Sequence, residues 1–496
     1  MVGVAGGALT LPVGDEGLAA ENAWLRSERD RLEGEVARLT STVARLRARL
    51  DEARRAAKRQ AAPFAKGRPV SRPRRPGRKP GPGYGVKARR PVPDRVDRVI
   101  AVPLPEVCPD CGGPVITERV ACQYQEVACQ YQEDLPAAAT EITRFEVGLG
   151  GCQRCGRRVR GPRHPEQTSD ALGAAGVGVG PRAIALTAWL SKGLGLPAGK
   201  VSRLLGQFGL ALSPGGVHQG LARAARVCQP TYRALEQGVR DSPVVAPDET
   251  GWRVAGCRAW LWAFVGDRVV VYQVAAGRGY ADAAQVLGEN YAGVLERDGW
   301  APYRRFTRAR HQSCLAHLLR RCRELISDAD RGQARTPHAV RRILTHALAV
   351  RADRDHGALT AADATVEAER LGGAVDRLIT GRSVHPPNRR LLNHLARERA
   401  HLFTFLTVTG VEATNWRAEH AIRPAVVTRK VWGGNRTWTG AGTWQTLASV
   451  LATATVQQRD PVGVLVGLLR SPAPRIAELT IPGQAKGPAS PTARSP

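Results

Sequence analysis

A chain of 496 residues with 73 Lys+Arg against 44 Asp+Glu, a formal net charge of +29, has room for two or three domains with real cores. Its charge calls for a polyanionic partner, nucleic acid first and an anionic membrane second. No apolar run of about 18 residues occurs, which excludes a transmembrane helix, and the start MVGVAGGALTLPVGDEG lacks the basic stretch of a secretory signal, so a cytoplasmic, nucleoid-associated protein is expected. Ten cysteines, two pairs of them spaced C-x-x-C, point to metal in a reducing compartment rather than to a disulfide scaffold.

Residues 18–57 read as a leucine-zipper-like coiled coil. Leu18, Leu25, Leu32, Leu39 and Leu46 recur every seven residues, and the positions four after each are Asn22, Arg29, Val36, Val43 and Leu50. Such a seam favours a parallel dimer, with Asn22 fixing register. Residues 58–98 hold 14 Lys+Arg and two Asp, a net of +12, in a Pro- and Gly-dense stretch that cannot bury a core. They read as a disordered basic linker in which Arg74, Arg75, Arg78 and Lys79 attract phosphates. Residues 99–165 carry Cys108-x-x-Cys111 and Cys152-x-x-Cys155, each with Gly after the second Cys. Four thiolates in this arrangement suit tetrahedral Zn2+ in a zinc-ribbon-like module. Between them VACQYQE occurs twice in tandem, at 120–126 and 127–133, which has the look of a 21-nucleotide duplication; Cys122 and Cys129 are then copies of one residue and not counted as ligands.

From 181 to 240 the pattern is helical, and AGKVSRLLGQFGLALSPGGVHQGLARAARV reads as a helix-turn-helix-like DNA-binding region with SPGG opening its second helix. Short strands follow at 243–247, 258–266 and 268–275, then a helix in YADAAQVLG and a fourth strand ending in Asp298. That is the strand order of an α/β RNase H-like core. It would set Asp248, at the end of the first strand, beside Asp298, where the two carboxylates can bridge hard divalent cations. Asn415, Glu419 and Arg423 fall i, i+4, i+8 on one helix face, with Pro424 limiting the helix; spacing alone reads Glu419–Arg423 as a solvated ion pair. Arg429, Lys430 and Arg436 alternate with Trp432, Trp438 and Trp444, a mixture that fits either base stacking with phosphate contacts or a packed core.

The strings GRKPGPGYG, CPDCGG, DETGW, LERDGWAPYRRF, CLAHLLRR, NWRAEHAIRPAVVTRK and GAGTWQTLASVLATA, in this order, resemble the insertion sequence sixty-six family of bacterial DDE transposases from about residue 18 to residue 470. By that resemblance the fold is multidomain, with the RNase H-like catalytic domain at 241–470 and a helical insertion at about 327–410; residues 471–496, ending in the low-complexity GQAKGPASPTARSP, depart from the family pattern and read as a disordered tail. Asp248, Asp298 and Glu419 would be the catalytic triad, holding two Mg2+ (or Mn2+) ions roughly 4 Å apart for DNA cleavage and strand transfer. Arg423, Arg429 and Lys430 would contact DNA. The partners implied are the transposon's terminal inverted repeats, target DNA, a second copy of the chain through the coiled coil, and helper proteins of the same element; no membrane is implied. Cys314-x-x-His317, with His311 one helical turn before it, resembles a pair that follows the second aspartate in several DDE groups and is taken as structural. Trp300 stands where the family usually has Tyr. A dimeric zinc-containing DNA-binding regulator, a metal-dependent nuclease and an inactive copy are the alternatives.

Overall fold

The computed structural model describes residues 15–57, 93–100, 105–115, 132, 139–164, 166–167, 169–172, 178–330, 332–381 and 383–484. Arg74, Arg75, Arg78 and Lys79 of the basic segment, the tandem heptapeptide apart from Gln132, and residues 485–496 lie outside them. Two units divide the chain, Met1–Glu133 and Asp134–Pro496.

In the first unit α1 (Asp15–Ala57) is one helix of 43 residues without a break. Leu25, Leu32, Val36, Leu39, Val43 and Leu46 all stand exposed along it, so the heptad stripe is a solvent-facing seam. Residues 93–100 follow an irregular, mostly exposed path. The first cysteine knuckle is closed by a bridge between Val107 and Pro114.

The second unit begins with a two-stranded antiparallel ribbon, β1 (Leu149–Gly151) and β2 (Arg158–Arg160), with the second knuckle at its tip. Three helices come next: α2 (Pro181–Ala188), which widens into a π turn over Trp189–Gly193, α3 (Ala198–Gln207) and α4 (Pro214–Arg240). Ser213 caps α4 by accepting the Gly216 N–H at 3.1 Å, with Pro214 pre-set at the first helical position, so SPGG opens this helix. The buried face of α4 does not stand apart from the sheet below it. Leu235 and Val239 share a core with Trp262, Phe264 and Val271, and the Tyr232 hydroxyl donates to the Tyr272 carbonyl at 2.9 Å.

The sheet follows as β3 (Val244–Val254), β4 (Cys257–Val265), β5 (Val270–Ala275), α5 (Tyr280–Leu287), β6 (Val294–Arg297) and β7 (Arg310–Ser313). Its order is β5-β4-β3-β6-β7, with the first three strands antiparallel and β6 and β7 parallel to β3. Three consecutive strands, a helix and a fourth strand beside the first are the order read from the sequence. Two details differ. The first strand does not stop at Pro247 but runs to Val254, because the reversal is made by Ala255 and Gly256, both at positive φ (52° and 77°), as a two-residue hairpin requires. The fifth strand was not anticipated: RHQS has no apolar alternation, and three of its four residues are buried through hydrogen bonds instead. His311 therefore lies in β7 and not one helical turn before Cys314.

Beyond β7 come α6 (Leu315–Ser327), α7 (Arg335–Asp355), α8 (Ala361–Thr380), α9 (Pro386–Glu398) and the short α10 (Thr404–Thr407). They enclose a second core that includes Leu344, Leu371, Leu391, Leu395 and Phe405. The chain then returns to the sheet as α11 (Trp416–Trp432), α12 (Trp438–Val456) and α13 (Pro461–Arg470). Pro424 does not limit α11; it lies inside the helix, which ends eight residues later at Trp432, with Gly433 following in the left-handed region.

Strand alternation decides which helix meets which face. Trp262, Phe264 and Val271 face α4 and α5, whereas Leu261, Ala263 and Tyr272 face Ala418, Ile422 and Ala425 of α11 and Trp444 of α12. α12 also closes one sheet edge. Gln445, Ser449 and Thr453, spaced i, i+4, i+8, accept the outward N–H groups of Val274, Tyr272 and Val270 of β5 at 2.9, 2.8 and 3.0 Å. At the opposite edge the His311 carbonyl accepts from Thr404 Oγ1 at 2.6 Å and the Ser313 carbonyl from Gln312 Nε2 at 2.7 Å.

Residues 471–484, expected as the start of a disordered tail, are a correction. Ala477 and Ile481 are buried against the core of α4 and α13, and Gln457 exchanges hydrogen bonds with the Thr480 backbone at 2.7 and 2.8 Å. Among the described residues no helix is long and apolar enough to cross a membrane.

Candidate active site

Asp248 sits in the middle of β3, paired with Ala263 of β4, and not at a strand end. By alternation its side chain shares the face of Ala246, toward α11. The ladder from β3 to β6 covers only Val244 and Val245, so Asp248 lies past the point where the two parallel strands part. Glu249 faces the other way. It is buried and accepts from the Tyr303 hydroxyl at 2.5 Å and from Arg278 Nε at 2.8 Å. Of the two carboxylates in DET, one is committed to an internal network and the other is left facing α11.

Asp298 follows the last residue of β6 and turns the chain, its Oδ1 accepting the Trp300 N–H at 2.8 Å. The backbone at Gly299 passes His394 so closely that a Cβ there would lie 2.6 Å from the imidazole Cε1, which accounts for Gly in DGW. Arg278 then lies 3.9 Å over the Trp300 ring while pairing with Glu249, so Trp300 stacks on the guanidinium that holds Glu249. Glu419 is in the first turn of α11, where its Oε1 comes within 3.8 Å of His317 Nε2 on α6.

These three carboxylates, joined in one site by the family resemblance, come from β3, the turn after β6 and α11, close enough for the charges of Asp298 and Glu419 to act on Asp248. Burial raises the Asp248 carboxyl to about 7, helped by the charge of adjacent Glu249 and by those of Asp298 and Glu419. An all-oxygen, anionic and partly buried donor set with mutual repulsion suits a hard divalent cation such as Mg2+ or Mn2+. The closest grouping of potential ligands is a different one, however. Among the described residues the only three such side chains with ligand atoms within 4.8 Å of one another are Cys314, His317 and Glu419. Glu419 is thus turned toward α6 more than toward the aspartates.

The strand that carries Asp298 is anchored from behind. Arg297 is fully buried and pairs with Glu398 of α9 at 2.5 Å, itself fully buried, while donating to the Asp298 carbonyl at 3.0 Å. Arg297 Nε donates to His311 Nδ1 at 3.3 Å, and His311 Nε2 lies 3.1 Å from the Phe306 carbonyl. These partners fix the neutral Nε2–H tautomer. Sequence reading missed this group: Arg297 stands in LERDGW and His311 just before Cys314-x-x-His317, but neither string discloses Glu398, 101 residues after Arg297, as the partner.

Burial, then the charges of Arg297 and His401, push His311 down to about 4 from the usual 6.5. Between those values the unfolded chain takes up a proton that the folded chain refuses, so stability rises with pH across the window and is lost on acidification from about 6.5 to 4. His401 is depressed in the same direction. The expected outcome for His311→Gln is a flatter acid limb than wild type over that window, read from urea midpoints at a series of pH values. Parallel limbs would mean that His311 does not titrate as described.

The basic and aromatic residues after Glu419 divide between surface and core. Trp444 is core, with its ring centroid 5.4 Å from those of Trp252 and Tyr272; Trp438 is exposed; Trp432 is half-buried beneath Lys192, whose Nζ lies 4.4 Å from the ring centroid. Burial pushes Lys192, on the π turn, down to about 8. Arg423 and Lys430 are exposed. Arg429 is held to β3 through the Gly251 carbonyl and Thr250 Oγ1, and with Arg253 and Arg258 it lines a cleft of about 620 Å³.

The cysteine knuckles are alike. In each the first Cys N–H donates to a carbonyl five residues on, at 2.8 Å for Cys108 and 2.9 Å for Cys152, and Gly112 and Gly156 both take φ of 71° after the second Cys. Backbone hydrogen bonds from Cys111 and Asp110 lower the Cys108 thiol, and those from Cys155 and Arg154 lower Cys152, which favours the thiolate that a metal needs. The pairs fall in different units, and all four thiols are free.

Residues 176–443 match the model of the transposase IS66 family, a span of 268 residues and more than half of the chain. A protein of Sinorhizobium fredii designated uncharacterized protein y4qI is 27% identical over 237 residues, which cover 41% of this chain and 42% of that protein. The chain therefore spans less than half the length of that relative.

Proposed function

Because the chain belongs to the transposase IS66 family, we propose that it binds the ends of a mobile element, cuts there and joins the ends to target DNA, with Asp248, Asp298 and Glu419 as the catalytic carboxylates on an RNase H-like core. The observation that supports this reading is that Asp298, after β6, and Glu419, on α11, come near enough to Asp248 on β3 for their charges to raise its carboxyl. The three would hold divalent cations, which supply Lewis acidity toward a phosphodiester and make a water or a DNA 3′-hydroxyl a better nucleophile.

The protein's own part is positioning. The Trp300 N–H fixes the Asp298 carboxylate at 2.8 Å, and Arg297 fixes its backbone from behind. Burial around Asp248 keeps bulk water from screening the charges that meet a phosphate. Exposed Arg423, Lys430 and Trp438, which follow Glu419 in the chain, and the cleft lined by Arg253, Arg258 and Arg429 would hold phosphates and splayed bases. The basic segment would add affinity that falls steeply with salt. The seam of α1 would pair two copies so that both ends are held together, and the four knuckle cysteines would hold Zn2+.

The test is a strand-transfer assay with end-labelled DNA bearing the element's termini, with Mg2+ or Mn2+ and with chelator. Joined product that requires the cation is expected. Cleavage without joining would make the protein a nuclease, and tight binding without metal-dependent cutting would overturn the enzymatic reading in favour of a regulator.

A further inference from the structure

Cys314, His317 and Glu419 form a cluster that the proposed chemistry uses only through Glu419. Cys314 caps the start of α6 as the chain leaves β7, His317 lies one turn on, and Glu419 approaches from the first turn of α11. One potential ligand atom from each lies within 4.8 Å of the others. In a tetrahedral site, with metal–ligand bonds of about 2.0–2.3 Å, neighbouring donors stand roughly 3.3–3.8 Å apart, so small side-chain rotations close the set. Sulfur, imidazole and carboxylate together are the donors of a borderline cation and not of Mg2+.

Two further observations point to a ligand. His317 Nδ1 and Asn415 Oδ1 are both buried without a hydrogen-bond partner, although such atoms are nearly always paired. Asn415 belongs to the same shell, its backbone N–H donating to Cys314 Sγ at 3.4 Å. That contact is the kind that supports a metal-bound thiolate from outside.

We propose that Cys314, His317 and Glu419 bind Zn2+ with a fourth position open, and that occupancy holds Glu419 away from Asp248 and Asp298, so that zinc switches the enzyme off. The inhibitory half rests on the transposase reading; the binding half does not. Glu419 is the one residue common to both donor sets, and it is already on the side of the cysteine and histidine.

The test uses the full chain, stripped of metal and titrated with Co2+ as the probe. Wild type should bind one equivalent more than Cys314→Ser, with a matching loss of the thiolate–cobalt charge-transfer band. A variant with Cys108, Cys111, Cys152 and Cys155 all changed to Ser should keep that equivalent. His317→Ala, at a half-exposed position where misfolding is not at issue, should weaken it at least about tenfold. Equal stoichiometry and band in wild type and Cys314→Ser, with His317→Ala also unchanged, would overturn the site. In the cleavage assay with Mg2+, Zn2+ should inhibit wild type at concentrations at least about tenfold lower than His317→Ala. If Co2+ binds as described but Zn2+ inhibits both alike, the switch is wrong and the site stands. If no protein cuts DNA with Mg2+, the transposase reading has failed, and the Co2+ titration still decides the site.

Discussion

Replacing Asp298 by Asn is expected to lower DNA cleavage and joining by about a thousandfold or more while leaving DNA retention unchanged. Asn is the same size, and its Oδ1 can still accept the Trp300 N–H that Asp298 accepts at 2.8 Å, so the turn after β6 survives. What disappears is one negative charge from a set of three. Cation-mediated stabilisation of phosphoryl-transfer charge amounts to several kcal/mol, and at 1.36 kcal/mol per decade a loss of about 4 kcal/mol is roughly a factor of a thousand. Single-turnover joining and a gel-shift titration on the same DNA measure the two halves. Asp298→Asn joining within tenfold of wild type would falsify the assignment of this residue.

The second large effect concerns stability. Glu398→Ala should destabilise the fold by about 3–5 kcal/mol, because it leaves the Arg297 guanidinium buried without its counter-charge. Both side chains are fully buried and 2.5 Å apart, and Arg304 lies 3.3 Å from the other carboxylate oxygen. Burial alone would raise the Glu398 carboxyl, yet Arg297 and Arg304 hold it below its usual range, the mark of a pair formed as ions. Glu398→Gln keeps an acceptor for Arg297 and should cost less than Ala. Urea unfolding followed by far-UV circular dichroism measures the difference. A loss under about 1 kcal/mol for Glu398→Ala would mean that water reaches Arg297 and that the pair is not dry.

The order of β3 to β6 was legible because each of these strands carries an apolar run bounded by a turn, and Asp248 and Asp298 drew notice because each falls at or beside the place where such a run meets a polar residue. The end of the first strand was misread because DET looks like a turn, whereas the turn is made by Ala255 and Gly256 further on. Pro424 was taken as a stop, yet α11 continues through it, since the helix rests on the sheet through Ala418, Ile422 and Ala425 and that packing outweighs one lost backbone bond. Nothing local in RHQS could have disclosed β7, whose buried polar groups find partners about 90 residues away in Leu402 and Thr404. The turning of Glu419 toward Cys314 and His317 is likewise a fact of tertiary packing. Spacing along α11 offered it only Arg423 as a partner.

Open sheet edges recruit foreign strands, and in the five-stranded sheet both outer strands meet side chains of other elements along their outward side. The outward amides of β5 are occupied by Gln445, Ser449 and Thr453, and the outward carbonyls of β7 by Thr404 and Gln312. A second copy's strand could add to β5 or β7 only by first displacing these side chains.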